Sequence, residues 1–131
     1  MRKILALDDS PVVLKMVERT IRKLGFEPVT AKHGEEGLTR FEEHDITLIV
    51  TDINMPVMNG IEFIRALRKR DARVPVLVLT TESDENLMRE AEEAGSNGWI
   101  GKPPVPEELR DHIRRLLPEP AAEQPAAFPL L

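Results

Sequence analysis

Short apolar runs alternate along this chain with longer stretches in which apolar residues recur every three or four positions. Lys3–Leu7 is a continuous apolar run, the pattern of a strand covered on both faces. Ile46–Asp52 is the most β-like segment and reads as central. Val74–Thr80 and Gly98–Gly101 are further strands, and Pro28–Ala31 is a weaker, more polar one that suits a sheet edge. Helices fit between them. Ser10 and Pro11 open the first as N-cap and first helical residue, Val13, Val17, Ile21 and Leu24 give it an inward stripe, and Gly25 closes it. Gly34–Glu43 is a second helix with Leu38 and Phe41 inward. After a turn at Met55–Gly60, broken by Pro56, Asn59 and Gly60, a third helix uses Ile61, Ile64 and Leu67. Asp84 caps a fourth that carries Leu87, Ala91 and Ala94 and ends at Gly95. Pro106, Glu107 and Glu108 open a fifth, with Leu109, Ile113, Leu116 and Leu117 inward and its acids at the positive end of the helix dipole. Strands alternating with helices of this length predict an α/β fold, a doubly wound parallel sheet with right-handed crossovers.

Composition narrows the class. The 131 residues suit one domain with a proper core. A net charge of -5 argues against nucleic acid as a direct partner, and the lack of cysteine excludes disulfides and thiol catalysis. Arg2 and Lys3 precede an apolar run that stops at Asp8, too short for a secretory segment, and no run approaches a membrane span. A cytoplasmic protein is expected. Pro118–Leu131 holds four of the eleven prolines and several alanines without a period, so residues 118–131 read as a flexible tail beyond a domain of residues 1–117. Its Phe128–Leu131 end is apolar; an inert tail is the preferred reading over a docking peptide.

The chemistry sits where the strands run out. Asp8 and Asp9 follow Ile4–Leu7, Asp52 follows Ile46–Val50 by two positions, Thr80 follows Val76–Leu79, and Lys102 follows Trp99–Ile100. In a parallel sheet these ends share one edge, where ligands bind. Three carboxylates brought together repel and favour a cation, and Mg²⁺ suits hard oxygen donors alongside phosphate. A carboxylate can then attack phosphorus, a lysine can hold the developing charge, and the Thr80 hydroxyl can donate to the same oxygens. Singly, each residue has a plainer role: Asp9 as a helix cap, Asp52 in a turn, Thr80 as a strand residue, Lys102 as a solvated charge. Together, each at a strand end, they favour a site. Arg65, Arg68, Lys69, Arg70 and Arg73 read as the solvated face of the third helix, and Glu82, Glu90, Glu92 and Glu93 most simply as surface. His33, His44 and His112 are scattered, which argues against a histidine metal site or relay.

The ordered set Asp8-Asp9, Asp52-Ile53-Asn54-Met55-Pro56-Val57-Met58-Asn59-Gly60, Thr80 after Val76-Leu77-Val78-Leu79, and Lys102-Pro103 resembles a response-regulator receiver domain over Lys3–Leu117, and most of all a stand-alone chemotaxis-type (CheY-like) regulator. The resemblance implies a flavodoxin-like sheet of five strands in the order 2-1-3-4-5 with five helices. It implies Asp52 as phosphoacceptor for a CheA-like sensor histidine kinase, and Mg²⁺ held by Asp8, Asp9, Asp52 and the backbone carbonyl of Asn54. Lys102, through a cis bond to Pro103, contacts the phosphoryl group. Thr80 and Trp99 form the switch, with Trp where the family usually keeps Tyr or Phe. Asn54 and Glu82 occupy the positions that tune dephosphorylation. The implied output is phosphorylation-dependent protein binding on the face of the fourth helix, fifth strand and fifth helix, in chemotaxis or motility, with no enzymatic activity beyond self-phosphorylation and self-dephosphorylation. No DNA-binding or catalytic domain is expected after Leu117, so protein contact is the expected output. Asp84 and Glu85 put acid where some motor-binding relatives carry lysines. The alternatives are a phosphate sink or relay intermediate without an effector, an aspartyl phosphatase, which would need an acid where Asn54 stands, and an unphosphorylated scaffold.

Overall fold

The computed structural model describes residues 2–117. Ten elements alternate along the chain: β1 (Lys3–Leu7), α1 (Pro11–Lys23), β2 (Glu27–Ala31), α2 (Gly34–Glu43), β3 (Ile46–Thr51), α3 (Gly60–Arg68), β4 (Val76–Thr80), α4 (Glu85–Ala94), β5 (Gly98–Gly101) and α5 (Pro106–Leu116). All strand pairs are parallel, in the order β2-β1-β3-β4-β5. The polar β2 therefore lies at an edge and β3 at the centre, as expected. The expected tail over Pro118–Leu131 lies outside the described residues.

Side-chain alternation explains why the strands read as unbroken apolar runs. Leu5, Leu7, Ile49, Val76 and Val78 face α2, α3 and α4, packing with Leu38, Phe63, Ile64, Leu67 and Ala91. Ile4, Ala6, Leu48, Val50, Leu77 and Leu79 face α1 and α5, packing with Leu14, Val17, Ile21, Leu109 and Ile113. Neither face meets water, so neither needs polar residues.

Boundaries shift for identifiable reasons. β4 begins at Val76, not Val74: Pro75 has no N–H to give a ladder, and Val74 N donates to Asp71 Oδ1 (2.8 Å) instead. The α1 stripe is rotated from the expected one: Leu14, Val17, Thr20 and Ile21 are buried, whereas Val13 and Leu24 are half-buried. Arg68 does not belong to a solvated face. Its guanidinium donates to Gly95 O (2.8 and 3.1 Å) and to Asn97 Oδ1, clamping the end of α4 against α3, and burial lowers its pKa from the usual range. Ser10, Asn59 and Asp84 cap their helices, and His33 caps α2 by accepting from Glu36 N (3.2 Å).

The Met55–Gly60 turn contains one strained residue. Val57 has φ 67°, in a region a β-branched side chain seldom adopts, and Met58 N closes a three-residue turn onto Pro56 O at 2.7 Å. With Val57 71% exposed, its side chain gains little packing in return. Val57→Gly is expected to raise stability by about 0.5–1 kcal/mol, the strain relief exceeding glycine's extra unfolded-state entropy. A higher urea midpoint at unchanged slope checks it; an equal or lower midpoint would show the turn to be unstrained.

Candidate functional site

Register carries the acidic residues together. Leu7 pairs with Thr51, so Asp8 and Asp52, each the next residue, leave adjacent strands side by side. Asp8 N donates to Ala31 O (3.1 Å) and Asp52 N to Leu7 O (3.0 Å), fixing both backbones at the sheet's carboxyl edge. Thr80 pairs with Gly101, and Lys102 N donates to Thr80 O (3.0 Å), which brings Lys102 to the same edge. The Lys102–Pro103 bond is cis.

Asp8, Asp9 and Asp52 each offer a carboxylate oxygen within 4.8 Å of the others. Asp8 and Asp52 are only 3% and 4% exposed, whereas Asp9 is exposed. Lys102 Nζ bridges the two buried acids, at 2.7 Å from Asp8 Oδ2 and 2.9 Å from Asp52 Oδ2. The remaining oxygens are oriented by backbone: Ser10 N donates to Asp8 Oδ1 (2.9 Å) and Ile53 N to Asp52 Oδ1 (2.7 Å). Three carboxylates against one ammonium leave an excess of negative charge on hard oxygen donors, a donor set that fits a small divalent cation. Burial raises the pKa of Asp8, and repulsion from Asp52 adds to this; the bonds from Lys102 and Ser10 N oppose it without cancelling it. Burial alone would lower Lys102, but hydrogen bonds to Asp52 and Asp8 and their charges outweigh it and raise the ammonium's pKa.

The sign for Asp8 follows. An acid whose pKa is raised by folding holds its proton more tightly when folded, so its ionisation costs stability as pH climbs from the ordinary aspartate range, about 3.9, through the folded value. Asp8→Asn removes that loss. In metal-free buffer, the stability of the variant minus that of the wild type should grow between about pH 4 and 7, read by urea unfolding at each pH. A difference flat with pH would contradict it.

Around this cluster, Thr80 is fully buried and its Oγ1 accepts from Glu82 N (3.3 Å). Asn54 is exposed and donates through Nδ2 to Glu82 Oε2 (2.7 Å), so the loops after β3 and β4 are joined across the mouth of the site. Trp99 stands apart, half-buried on β5 and packed against the α3–α4 side of the core. Sequence reading did not single out the closeness of Gly60: its N–H donates to Ile53 O (2.8 Å), and a Cβ there would collide with the carbonyl oxygen of Asp52. The bare backbone lets the loop fold back under Asp52. The breaker residues of the turn were the available signal.

The sequence matches the family described as Response regulator receiver domain over residues 4–114. The chain belongs to that family, the receiver module of two-component signalling. Among relatives, it is 33% identical to the chemotaxis protein CheY1 of Helicobacter pylori, over 88% of this chain and 96% of that one. It is 40% identical to the transcriptional regulatory protein PrrA of Mycobacterium tuberculosis over 88% of this chain, and it spans only about half (49%) of that protein's length. Its fold matches that of Vibrio cholerae chemotaxis protein CheY4 with a TM-score of 0.85 at 39% identity, covering 89% of this chain and 99% of the other. It also matches the receiver domain of the Pseudomonas aeruginosa histidine kinase PA1611, whose structure holds a magnesium ion in the active-site cleft (TM-score 0.80, 26% identity, 88% and 96% covered). Receiver, fold and sheet order are thus as the resemblance implied. The relatives divide between chemotaxis and transcription, so membership alone does not assign the output.

Proposed function

We propose that residues 1–117 are a phosphorylation switch in which Asp52 accepts a phosphoryl group from a sensor histidine kinase of the CheA-like kind. The observation that carries this reading is the Lys102 ammonium lying between Asp8 and Asp52 at a shared strand edge. Asp8, Asp9, Asp52 and the carbonyl of Asn54 would hold Mg²⁺, which supplies charge neutralisation for the phosphoryl oxygens. An Asp52 carboxylate oxygen bonds to phosphorus as the bond from phosphorus to the donor nitrogen breaks; that nitrogen keeps the electron pair, and the histidine, carrying a proton on its other ring nitrogen, leaves as neutral imidazole. Lys102, already in place, takes charge from the transferred oxygens. Thr80 donates its hydroxyl to the modified carboxylate, and Trp99 follows it. The mouth formed by Asn54 and Glu82 sets water access and hence the lifetime of the phosphoryl group. The partner reads the face made by α4, β5 and α5, and discriminates between the two states. A chemotaxis or motility output, in the cytoplasm, is the reading we favour, on the likeness to the chemotaxis protein CheY1.

Trp99, the single tryptophan, reports the switch directly. Adding Mg²⁺ should change its fluorescence, and acetyl phosphate should change it further. Intact mass should show one added phosphoryl group. No response to either reagent and no mass gain would overturn the reading.

A further inference from the structure

Away from the acidic cluster, an open groove of about 400 Å³ runs between α4 and β5, lined by Glu85, Met88, Arg89, Glu92, Asn97 and Trp99 among others. Its existence follows from how thinly α4 is anchored. Only Ala91 of that helix is buried, against five residues of α3 and four of α1. Met88 and Trp99 are left half-exposed along the groove. A flexible thioether beside a large aromatic surface is suited to aromatic and proline side chains, the chemistry by which aromatic-lined grooves take proline-rich segments.

The chain itself carries such a segment after α5. Gly98, on its wall, faces α5 closely: a Cβ there would stand 3.5 Å from Leu116 Cδ1 and 4.0 Å from His112 Nδ1. Leu117 is the C-cap of α5, so the described chain ends on the helix that packs against this wall of the groove. Residues 118–131 end in Phe128-Pro129-Leu130-Leu131. A chain of the length separating Leu117 from Phe128 spans on the order of 20 Å as a coil, and the ten-residue α4 is roughly 15 Å long. Charge agrees. Glu119 and Glu123 are the only charged side chains in the segment, and the last turn of α5 carries Arg114 and Arg115. Arg89, at the groove, bonds Asn86 Oδ1 and meets no carboxylate among the described residues. Glu85 and Glu92 also line the groove, which suits the apolar side chains of Phe128–Leu131, rather than Glu119 or Glu123, along α4.

We infer that Phe128–Leu131 docks in cis into the α4–β5 groove, covering Met88 and Trp99. Tethering supplies the affinity. A short linker gives a millimolar effective concentration, so contacts with a dissociation constant about tenfold below that, on the order of 0.1 mM, keep the groove about nine-tenths filled. A partner seeking the same face must displace the segment first. The docking does not depend on Asp52 accepting phosphate, and it is tested without Mg²⁺ or any phosphoryl donor, so its failure and the failure of the phosphorylation reading are separable.

The test is acrylamide quenching of Trp99 in the full chain. Phe128→Ala/Leu130→Ala/Leu131→Ala should raise the quenching constant by about twofold or more, because the tether keeps the cover nearly complete in the wild type. A synthetic peptide of residues 118–131 at millimolar concentration should restore protection to that variant. Met88→Glu alone should expose Trp99 to the same degree, and combining it with the triple variant should add nothing. Unchanged quenching in the triple variant would overturn the proposal, as would additive effects of the two sets. Protection that grows with protein concentration would overturn it too, in favour of a second copy of the chain as occupant.

Discussion

Asp52→Asn should abolish phosphoryl uptake from acetyl phosphate, with the rate falling on the order of 10³-fold or more, because an amide lacks the nucleophilic oxygen that forms the acyl phosphate. The substitution is nearly isosteric in a site whose Asp52 is buried, so the fold is expected to persist. An asparagine oxygen can still accept from Ile53 N, as Asp52 Oδ1 does at 2.7 Å. Its amide nitrogen would face the Lys102 ammonium, donor against donor, leaving Lys102 on Asp8 alone. Mg²⁺ affinity should fall but not vanish, since Asp8 and Asp9 remain. Intact mass after acetyl phosphate treatment reads uptake, and Trp99 fluorescence with and without Mg²⁺ shows that the protein is folded. Stoichiometric uptake by the variant would place the acceptor elsewhere, with Asp8 and Asp9 the first residues to map.

Most of this site is legible in the sequence because its parts are backbone-placed. Asp8, Asp52, Thr80 and Lys102 each sit at or just past a strand end, and a parallel sheet aligns strand ends without any help from side chains. The core was equally legible: a run such as Ile4–Leu7 is buried on alternate sides, so hydrophobicity alone marks it. What the sequence concealed depends on contacts between distant elements. The Arg68 clamp needs Gly95 and Asn97, which only the packing of α4 against α3 delivers, so a run of five basic residues looked uniformly solvated. Leu14 rather than Val13 faces inward because the helix rotates to fit the sheet, a choice between neighbours that periodicity leaves open. The Asn54–Glu82 bond joins two loops 28 residues apart in sequence, and the α4–β5 groove is a deficit of packing, which no motif marks.

Removing the ammonium has the largest predicted cost to the fold. Lys102→Met keeps an apolar stem of similar length but leaves Asp8 and Asp52 without their shared counter-ion, and both side chains are about 95% shielded from solvent, at 4% and 5% exposure. Deleting one member of a buried charge pair typically costs about 3–5 kcal/mol, because the stranded charge stays desolvated. Against a domain stability of about 5–15 kcal/mol, that brings the variant near unfolding at neutral pH without metal. Two conditions should rescue it, for different reasons. Acid should narrow the gap: with the lowering influence of Lys102 gone, the already raised pKa of Asp8 rises further, so the site takes up a proton at higher pH and the folded variant recovers stability as pH falls. In the wild type the ammonium's own contribution runs the other way, complete at and below about pH 10, the ordinary lysine range, and lost only as pH rises through the elevated folded value. Mg²⁺ should rescue by replacing the missing positive charge, adding about 2.7 kcal/mol at a hundredfold excess over its dissociation constant. Urea unfolding of both proteins at pH 5 and 7, with EDTA and with Mg²⁺, separates these effects. A loss under about 1 kcal/mol that neither acid nor Mg²⁺ relieves would mean that water already reaches the two carboxylates, and the cluster would then lack the desolvated charge on which its chemistry depends.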